Sequence, residues 1–338
     1  MVTTIGAWNI RGLNSPNKKK MIQQWVNKNN LNIFGILEPR ILPTNMAATE
    51  EGLGLHNWHF ISNIHYSRLC RIMVGWNPAK VMVSTVHMDS QWVTCDVLNL
   101  EDSSTIRISF IYGLHTPADR MPLWNYLVSQ SANNTSIPWT TMGDFNAIMG
   151  PRDRQGGNNA WQSCMDDFLE CVCMAELIQL PVQGLHFTWH NNQIGDATIL
   201  RKIDWAFGNQ NFIMKWPLST ATFQTRVASD HSPIIVSLLP PPPRQKSKFR
   251  FLNLWTRQEG YEEMVQAAWN SEAYSNPISR LTTKLRTLKG VLSNFHRTHS
   301  TNISDRFRQA KEAWQQVQKV MDRRPNDREA HRQEREQC

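Results

Sequence analysis

The chain has 338 residues, 41% of them hydrophobic and 19% charged, which is enough apolar material for a buried core. It contains no charge-free apolar stretch of about 18 residues, and its first residues, Met1–Gly12, lack both a basic leader and a cleavage motif, so we expect neither a membrane span nor secretion. Six cysteines without CxxC spacing argue against a disulfide framework or a structural zinc site, and the net charge of +8 permits a nucleic-acid partner without requiring one.

Short β-rich runs recur through the first 239 residues. They predict strands at Thr4–Ile10, Asn32–Leu37, Trp58–Ile64, Arg71–Trp76, Val81–His87, Trp92–Leu98, Thr105–Tyr112, Trp139–Met142, His186–His190, Ile199–Phe207, Thr220–Val227 and Ile234–Leu238. So many strands exceed what one small sheet holds, and we therefore expect two.

Helical patterns lie between some of these runs. They predict helices at Lys18–Asn29, Ala118–Ser131, Trp161–Glu176 and Gln210–Trp216. Asn17 and Asn209 are suitable N-cap residues for two of them. Strands interleaved with helices and hairpin-like pairs predict an α/β fold, in which two packed mixed sheets are flanked by helices.

Four prolines, Pro240–Pro243, mark the sharpest boundary, because proline neither donates a backbone hydrogen bond nor continues a helix. We predict a domain at residues 1–239, a Pro-rich linker at 240–248, and a helical, basic extension at 249–338. Its helices are predicted at Glu259–Trp269, Pro277–His296 and Ile303–Arg323. The end of the chain from Arg323 onward is almost free of apolar residues and is expected to be disordered.

The positive charge is concentrated in the tail. Residues 1–243 hold 17 basic and 17 acidic residues, whereas residues 244–338 hold 19 and 11, so the whole excess of +8 lies after the prolines. Such a tail either binds phosphates or forms solvated helix faces, and composition leaves both open.

Polar side chains follow the first two predicted strands. Asn9 offers an amide donor and a carbonyl acceptor to a phosphate, a water or a metal shell, although a turn before Gly12 would also use it. Glu38 ends an apolar strand, and Pro39 biases it toward an extended conformation. A lone carboxylate at a strand end is usually only solvated, so neither residue decides the matter alone.

Asp144 and Asn146 follow the apolar run that ends at Met142. Their spacing of two directs both side chains the same way, while Phe145 points to the core. A carboxylate that activates water beside an amide that holds a phosphoryl oxygen is one use of this pattern, and an Asx turn is the other.

Two further acids and an imidazole occur near later strands. Asp230 and His231 precede the strand at Ile234–Leu238, and Asp204 lies upstream. An aspartate that orients and charges a histidine is a recurrent catalytic arrangement, although neighbouring Asp and His on a loop are often merely solvated. Tyr112 ends another strand, where its phenol either packs or reaches a phosphate.

The order of these segments is more specific than any one of them. WNIRGLN, LEP, IYG, GDFN, FTW, KIDWAFGN and SDHSP, within residues 3–239, resemble the motif succession of the endonuclease/exonuclease/phosphatase superfamily, which includes DNase I, exonuclease III and the endonucleases of LINE (non-LTR) retrotransposons. Four segments are similar to the plant LINE branch: Asp153–Asn158, Phe187–Asn191, Ile203–Asn209 and, after the linker, Lys248–Trp255.

The resemblance implies a fold and a set of site residues. The fold would be a four-layer α/β sandwich of two mixed β-sheets flanked by helices, with an α-helical C-terminal extension. Mg²⁺, with Mn²⁺ as a possible substitute, would be held by Glu38, Asp230 and Asn9. The catalytic residues would be Asp144, Asn146, Asp204, His231 and Tyr112. Substrate would be bound by Asn9, His115, Arg120 and Trp189.

The roles implied are those of phosphodiester hydrolysis. Asp144 would orient or deprotonate the attacking water, and Asn146 would hold the scissile phosphate. His231, paired with Asp204, would donate to a phosphoryl oxygen, and Tyr112 would contact the same phosphate. Two positions depart from the usual family pattern.

Those departures are His115, where the family usually has Asn, and Pro39, where it usually has Thr after the glutamate. A histidine still donates to phosphate, but its reach and charge differ, so we expect reduced rather than absent activity. Pro39 also occurs in the plant relatives that the sequence resembles.

By this resemblance, the protein is a Mg²⁺-dependent endonuclease that nicks DNA to give a 3′-hydroxyl primer for LINE retrotransposition. Its partners would be DNA, with element RNA and a reverse transcriptase by resemblance only, and a nuclear location follows from the substrate. The chain lacks the reverse transcriptase segment, which suggests a truncated or domesticated copy. The oligomeric state is left open.

Two alternatives remain. One is an apurinic-site repair endonuclease or another phosphodiesterase of the superfamily. The other is a catalytically silent retrotransposon remnant that only binds nucleic acid through residues 244–338.

Overall fold

Two β-sheets face each other in the first part of the chain. The computed structural model describes residues 3–133, 136–157, 165–239, 251, 253–270, 277, 278, 280–296 and 309. The chain divides into two units, Met1–Pro243 and Arg244–Cys338. The predicted linker at 240–248 lies outside the described residues, and the predicted domain limits stay predictions.

The first sheet has seven strands and is mixed. In spatial order these are β11 (Val182–Gly184), β15 (Thr220–Phe223), β16 (Ile234–Leu238), β1 (Thr3–Asn9), β2 (Ile33–Leu37), β4 (Ile72–Trp76) and β3 (His59–Ser62). β1 is parallel to β2 and antiparallel to β16. The first and last strands of this unit are therefore neighbours in the middle of one sheet.

The second sheet has six strands and is also mixed. Its order is β10 (Ile178–Gln179), β14 (Asp204–Gly208), β8 (Trp139–Asp144), β7 (Thr105–Tyr112), β6 (Trp92–Asn99) and β5 (Val81–Met88). β7 and β8 are parallel, and β14 runs antiparallel to β8. A small third sheet joins β12 (Trp189–His190), β13 (Leu200–Arg201) and β9 (Arg154–Gln155).

Helices cover the outer faces of both large sheets. On the first sheet, α1 (Pro16–Lys28) buries Ile22, Trp25 and Val26 against Phe34, and α2 (Met46–Gly52) lies nearby. On the second sheet, α3 (Pro117–Asn133) and α4 (Asp166–Met174) bury their apolar faces against the strands. α5 (Gln210–Lys215) follows β14. The predicted four-layer α/β sandwich is confirmed.

The space between the sheets is filled by apolar side chains from both. The facing residues include Ile5, Val74, Val93, Phe110 and Val236, all buried. Because the inner strands are covered by the other sheet on one face and by helices on the other, β1, β2, β4, β8 and β14 are buried along their whole length. This rigid core fixes the strand ends where the polar residues lie.

The second unit is helical where it is described. α6 (Tyr261–Trp269) is followed by helical residues 280–296, in line with the predicted α-helical extension. The predicted helix Ile303–Arg323 and the tail after it lie outside the described residues, except for residue 309. Within the described ranges, every helix is too short or too polar to cross a bilayer.

Most of the predicted strands are present, and the exceptions have local causes. The run Ile199–Phe207 was wrong as one strand, because Lys202 donates its backbone N–H to Asp153 and the chain there passes from β13 to β14, in different sheets. Of His186–His190 only the last two residues are β-structure, and Thr220–Val227 ends at Phe223. The sequence did not predict the short strands β9, β10 and β11 or the helix α2. The first four residues of the predicted helix Trp161–Glu176, 161–164, lie outside the described residues.

The two predicted N-caps have different outcomes. The cap at Asn209 is confirmed, since its Oδ1 accepts a hydrogen bond from the Phe212 N–H at 2.9 Å. The cap at Asn17 was wrong, because α1 begins two residues earlier, with Ser15 at the N-cap and Pro16 at the first helical position. Proline is already set for that position by its fixed φ.

Gly143 allows β8 to run beside β7 directly before Asp144. Its φ is +141°, and a Cβ there would lie 2.2 Å from the Ile111 carbonyl oxygen, which is backbone and cannot move aside. We predict that Gly143→Ala lowers the free energy of unfolding by about 2–4 kcal/mol in urea denaturation.

Gly150→Ala is the matched control for this prediction. Gly150 has an extended backbone, and an added Cβ would meet only Asp153 Oδ2, at 3.9 Å. We expect a change within about 1 kcal/mol. Equal effects of the two substitutions would contradict the argument from Gly143.

Candidate active site

Three chain segments of the first sheet bring polar side chains to one edge. Asn9 is the last residue of β1, and Glu38 directly follows the parallel strand β2. Asp230 and His231 lie just before β16, which runs antiparallel to β1 and therefore begins where β1 ends. Residues from positions 9 to 231 thus meet at the same end of the sheet.

The second sheet presents three more polar side chains. Tyr112 and Asp144 end the parallel strands β7 and β8 and are register partners. Asp204 begins the antiparallel strand β14 and is paired in register with Asp144. β7 and β8 end beside the start of β14, so the Asp144 and Asp204 carboxylates and the Tyr112 phenol lie at one edge of this sheet.

The two edges are joined by side-chain contacts. His231 Nδ1 lies 3.0 Å from Asp204 Oδ2 and 3.2 Å from Asp204 Oδ1. Asn9 Nδ2 donates to Asp144 Oδ2 at 2.8 Å, and His231 Nε2 lies 3.8 Å from the same oxygen. All four side chains are buried. They form a cluster, which we call the acid–histidine cluster: Asn9, Asp144, Asp204 and His231.

The charges in this cluster shift the pKa values of their neighbours. Burial on its own lowers the pKa of His231, but the Asp204 and Asp144 carboxylates outweigh it and raise the pKa to about 9. Burial raises the pKa of Asp144 to about 7, against the opposing effect of the His231 charge. The imidazole is therefore favoured as a cation and the Asp144 carboxyl titrates near neutrality.

Glu38 and Asp230, the predicted metal ligands, each contact an arginine. Arg40 donates to Glu38 from Nε at 2.8 Å and also from Nη2, and Arg11 Nη1 donates to Asp230 Oδ2. Asp230 Oδ2 also accepts from Trp189 Nε1 at 2.9 Å. Although burial raises it, the pKa of Asp230 is lowered overall by His231, Arg11 and Trp189.

Tyr112 and Asn146 flank Asp144. The phenol of Tyr112 is buried, and burial together with the Glu38 and Asp144 charges raises its pKa, so it remains a hydrogen-bond donor. The Asn146 backbone N–H donates to Asp144 Oδ1 at 2.9 Å, and its side-chain Nδ2 donates to Gly113 O at 2.7 Å. The bond from the Asn146 N–H to Asp144 Oδ1 is the hydrogen bond of an Asx turn, which was the alternative prediction for this pattern. The turn, in which Asn146 has a φ of +49°, also places the Asn146 amide beside Asp144.

The predicted substrate residues lie at different depths. His115 is exposed, whereas Arg120 is buried and donates from Nη1 to the carbonyls of Leu114 and His115 at 2.9 and 2.8 Å. Both line a cavity that reaches Asn146. Trp189 lies against Asp230, to which its Nε1 donates. The predicted roles of these residues stay predictions.

Thr188 is a supporting residue that the sequence did not reveal. Its buried Oγ1 accepts from the backbone N–H of Ile203 at 3.1 Å and of Asp204 at 3.0 Å. Its carbonyl accepts from Ser232 N at 2.8 Å. One threonine thus ties the start of β14 to the residue after His231. The only signal in the sequence was its place inside the FTW segment, which predicted a strand.

Lys202 is a second residue that sequence reasoning missed. It is only 2% exposed, and burial lowers the pKa of its ammonium to about 8, although the Asp153 and Asp204 charges oppose this. Its position one residue before Ile203-Asp204 was visible, but nothing in the sequence indicated that the side chain would be buried.

The ligand set of the site fits a hard divalent cation. One ligand atom from each of Asp144, Asp204 and His231 lies within 4.8 Å of the others, a grouping that no other three His, Cys, Asp or Glu residues in the described part of the chain show. Glu38 and Asp230 add buried carboxylates, and the arginine side chains that contact them, Arg40 and Arg11, are 46% and 47% exposed. The carboxylate oxygens at this site suit Mg²⁺ or Mn²⁺, whereas the charged His231 ring has no lone pair to offer a metal.

The comparisons with known proteins bear on the fold. No protein-family model and no curated protein matches the chain. Among solved structures, it is similar to the AP endonuclease LMAP from Leishmania major, with a TM-score of 0.56 and 14% identity over 71% of this chain and 88% of that one.

Two other solved structures are also similar to this chain. They are an endonuclease/exonuclease/phosphatase from Bacteroides vulgatus (TM-score 0.52, 14% identity, 71% of this chain and 100% of that one) and the endonuclease domain of TRAS1, a telomere-specific non-LTR retrotransposon (TM-score 0.51, 11% identity, 71% and 99%). The chain has the endonuclease/exonuclease/phosphatase fold. The predicted resemblance is confirmed at the level of that fold, and the plant LINE branch stays a prediction.

Within this endonuclease/exonuclease/phosphatase fold, we predict that Thr188→Val destabilises the protein by about 1–3 kcal/mol, because two buried backbone N–H groups lose their acceptor. Urea denaturation measures the change. Thr188→Ser keeps the hydroxyl and should retain most of the stability. A valine variant as stable as the serine variant would contradict this role.

The raised pKa of His231 also predicts a pH dependence of stability. Between 6.5 and about 9 the folded state holds a proton that the unfolded state has lost, so this stabilisation is fully present below pH 6.5 and is lost as pH rises through about 9. We expect the free energy of unfolding to fall between pH 6.5 and about 8, by up to about 1.4 kcal/mol per pH unit for one proton, because above about 8 the lowered pKa of Lys202 acts in the opposite direction.

His231→Asn removes the titrating ring and should flatten this slope, measured by urea denaturation at several pH values. His56→Asn, at an exposed turn residue, should keep the wild-type slope. Identical slopes in all three proteins would contradict the assignment.

Proposed function

We propose that the protein is a divalent-metal-dependent phosphodiester hydrolase that nicks DNA and leaves a 5′-phosphate and a 3′-hydroxyl. The observation that carries the proposal is the acid–histidine cluster. Two carboxylates, an imidazole and an amide from two different sheets meet in one buried place at the strand ends. A cluster of this kind is expensive to bury and has no need to exist for packing alone.

Each side chain has a chemical role in this proposal. His231, charged and held by Asp204, donates to a phosphoryl oxygen as negative charge builds up in the transition state. Asp144, with its pKa raised to about 7, takes the proton of the attacking water as the water oxygen bonds to phosphorus. The bond from phosphorus to the 3′ oxygen breaks, and the 3′ oxygen leaves as a hydroxyl after taking a proton from solvent water. Asn9 and Tyr112 add neutral donors at the same edge.

Glu38 and Asp230, with the Asn9 amide oxygen, are our candidates for the metal ligands. His231 is disfavoured as a ligand because its Nδ1 is hydrogen-bonded to Asp204 and two carboxylates favour the protonated ring, which has no lone pair to give. A bound Mg²⁺ or Mn²⁺ would supply positive charge to neutralise the phosphate. Arg11 and Arg40 must then turn away from the two carboxylates.

Two basic clefts next to the cluster support a polymeric substrate. One cleft, next to Asp230, is lined by Arg11, Lys18 and Arg226. The cavity next to Asn146 is lined by Arg120, Arg154 and Arg201. A small phosphate monoester would need only one such group of cations, whereas a nucleic-acid strand carries several phosphates and can contact both groups.

The finer proposal is a LINE-type endonuclease. Its support is the series of plant LINE segments in the sequence together with the fold shared with the TRAS1 endonuclease domain. The 3′-hydroxyl would then prime reverse transcription, with element RNA and a reverse transcriptase as partners and the nucleus as the place of action. An apurinic-site endonuclease is the second candidate, supported by the fold shared with the Leishmania AP endonuclease.

The test is a plasmid-nicking assay. Purified full-length protein is incubated with supercoiled plasmid, with and without an abasic site, in Mg²⁺, in Mn²⁺ or in EDTA. We predict nicking of intact plasmid that EDTA abolishes and that Asp144→Asn slows by about 10²- to 10³-fold. Asp102→Asn, in the exposed turn between β6 and β7 at the far end of the second sheet, should nick like wild type.

The outcomes separate the candidates. Cleavage only at the abasic site favours the repair endonuclease over the LINE-type enzyme. Salt-sensitive DNA binding without any cleavage in either metal favours the catalytically silent remnant. Nicking that survives Asp144→Asn would remove the acid–histidine cluster from the mechanism.

A further inference from the structure

A lysine is buried behind the acid–histidine cluster. Lys202 lies between β13 and β14, two residues before Asp204, and is 2% exposed. Its Nζ lies 4.5 Å from the centre of the Trp205 ring and 4.2 Å from the centre of the Phe223 ring. Trp205 belongs to the second sheet and Phe223 to the first, so the ammonium is held between rings from both sheets.

This ammonium makes no side-chain hydrogen bond. In the part of the chain that the structure describes, Lys202 Nζ has no hydrogen-bond partner, although it is fully enclosed. The two ring faces attract the cation, but aromatic faces replace only part of its lost hydration. Nearby carboxylate charges add to this compensation.

The negative charges of two buried carboxylates, Asp153 and Asp204, favour the charged form of the Lys202 ammonium. Asp153 already accepts from the backbone N–H groups of Met149 at 3.1 Å and Gly150 at 2.9 Å, which fix the loop after Asn146. Asp204 holds His231. Lys202 therefore lies at the junction of the two segments that carry Asp144–Asn146 and Asp204.

A purely structural role does not explain the choice of lysine. A methionine or leucine would fill the same space between Trp205 and Phe223 without the cost of burying a charge. The free-energy cost of burying the ammonium is explained only if its positive charge has a function. Asp144 and Asp204 are both buried and share one imidazole, so the cluster lacks a second cation, and Lys202 provides one from behind.

We propose that Lys202 is a positioning residue that acts through Asp204: its enclosed positive charge holds the Asp204 carboxylate in the orientation that His231 needs. The inference rests on the proposed hydrolysis. Lys202 touches no substrate in this scheme, so its loss should lower kcat without changing KM for DNA.

The experiment compares wild type, Lys202→Met and Lys202→Arg in the full-length protein. Methionine keeps the volume and removes the charge, whereas arginine keeps the charge. We expect kcat for plasmid nicking to fall roughly 10- to 100-fold in Lys202→Met, with KM unchanged, and to be largely restored in Lys202→Arg. Lys215→Met is the matched control, because Lys215 Nζ also lies over a ring, 4.7 Å from the centre of Trp216, but is away from the cluster.

Several results would overturn the proposal. They are a folded Lys202→Met protein with wild-type kcat, an effect on KM or thermal stability alone, and an arginine variant that loses as much kcat as the methionine variant. If Lys202→Met does not fold, Lys202→Met combined with Asp153→Asn keeps the buried net charge balanced and is compared with Asp153→Asn alone. A kcat equal to that of Asp153→Asn would overturn the proposal, and a lower one supports it.

A readout that does not depend on activity separates this inference from the proposed function. The His231 Nδ1 proton, hydrogen-bonded to Asp204, is followed by NMR in the same proteins. A wild-type protein that does not cut DNA refutes the proposed function. In that case a shifted or lost Nδ1 resonance in Lys202→Met, but not in Lys215→Met, still supports the positioning role, and an unchanged resonance overturns it.

Discussion

The contact between His231 and Asp204 is the interaction on which the site depends. His231 lies three residues before the start of β16 in the first sheet, and Asp204 begins β14 in the second, so their hydrogen bond connects the two sheets at one edge. Asn9 and Asp144 make a second connection of the same kind. The apolar core sets the distance between the sheets, and these polar contacts are possible only because that distance is fixed.

Burial gives the cluster its chemistry and also its cost. Asp144, Asp204 and His231 are almost completely removed from water, so their charges act on one another far more strongly than exposed charges would. The same burial demands that each charge be compensated nearby. Thr188 fixes the backbone of Asp204, and in our proposal the charge of Lys202 compensates the Asp204 carboxylate.

The sequence was most informative where a pattern is local. Short β-rich runs located most strands of both sheets, and Asn209 indicated where its helix begins. The order of the motifs indicated the candidate site residues. Among them, Asn9, Asp144, Asp204 and His231 lie together at one edge of the sandwich. Their catalytic roles were taken from resemblance, and the structure adds their geometry.

What the sequence could not give was set by distant partners. The break at Lys202 depends on a hydrogen bond to Asp153, about fifty residues away, and no propensity encodes it. The ion pairs of Glu38 with Arg40 and of Asp230 with Arg11 depend on side-chain conformations at the folded edge. The hydrogen bonds of Thr188 likewise exist only once β14 and the His231 segment lie together.

The pairing of β1 with β16 has a consequence for synthesis. β1 is synthesised first and β16 last among the strands of this unit. Thr3 and Leu238 therefore become register partners only when the whole first unit has left the ribosome. Until then His231 has no place beside Asp204, and a growing chain carries an unfinished site. The two ends of the first unit's sheet, Thr3 and Leu238, lie side by side, so they offer a natural joint for a circularly permuted form of that unit.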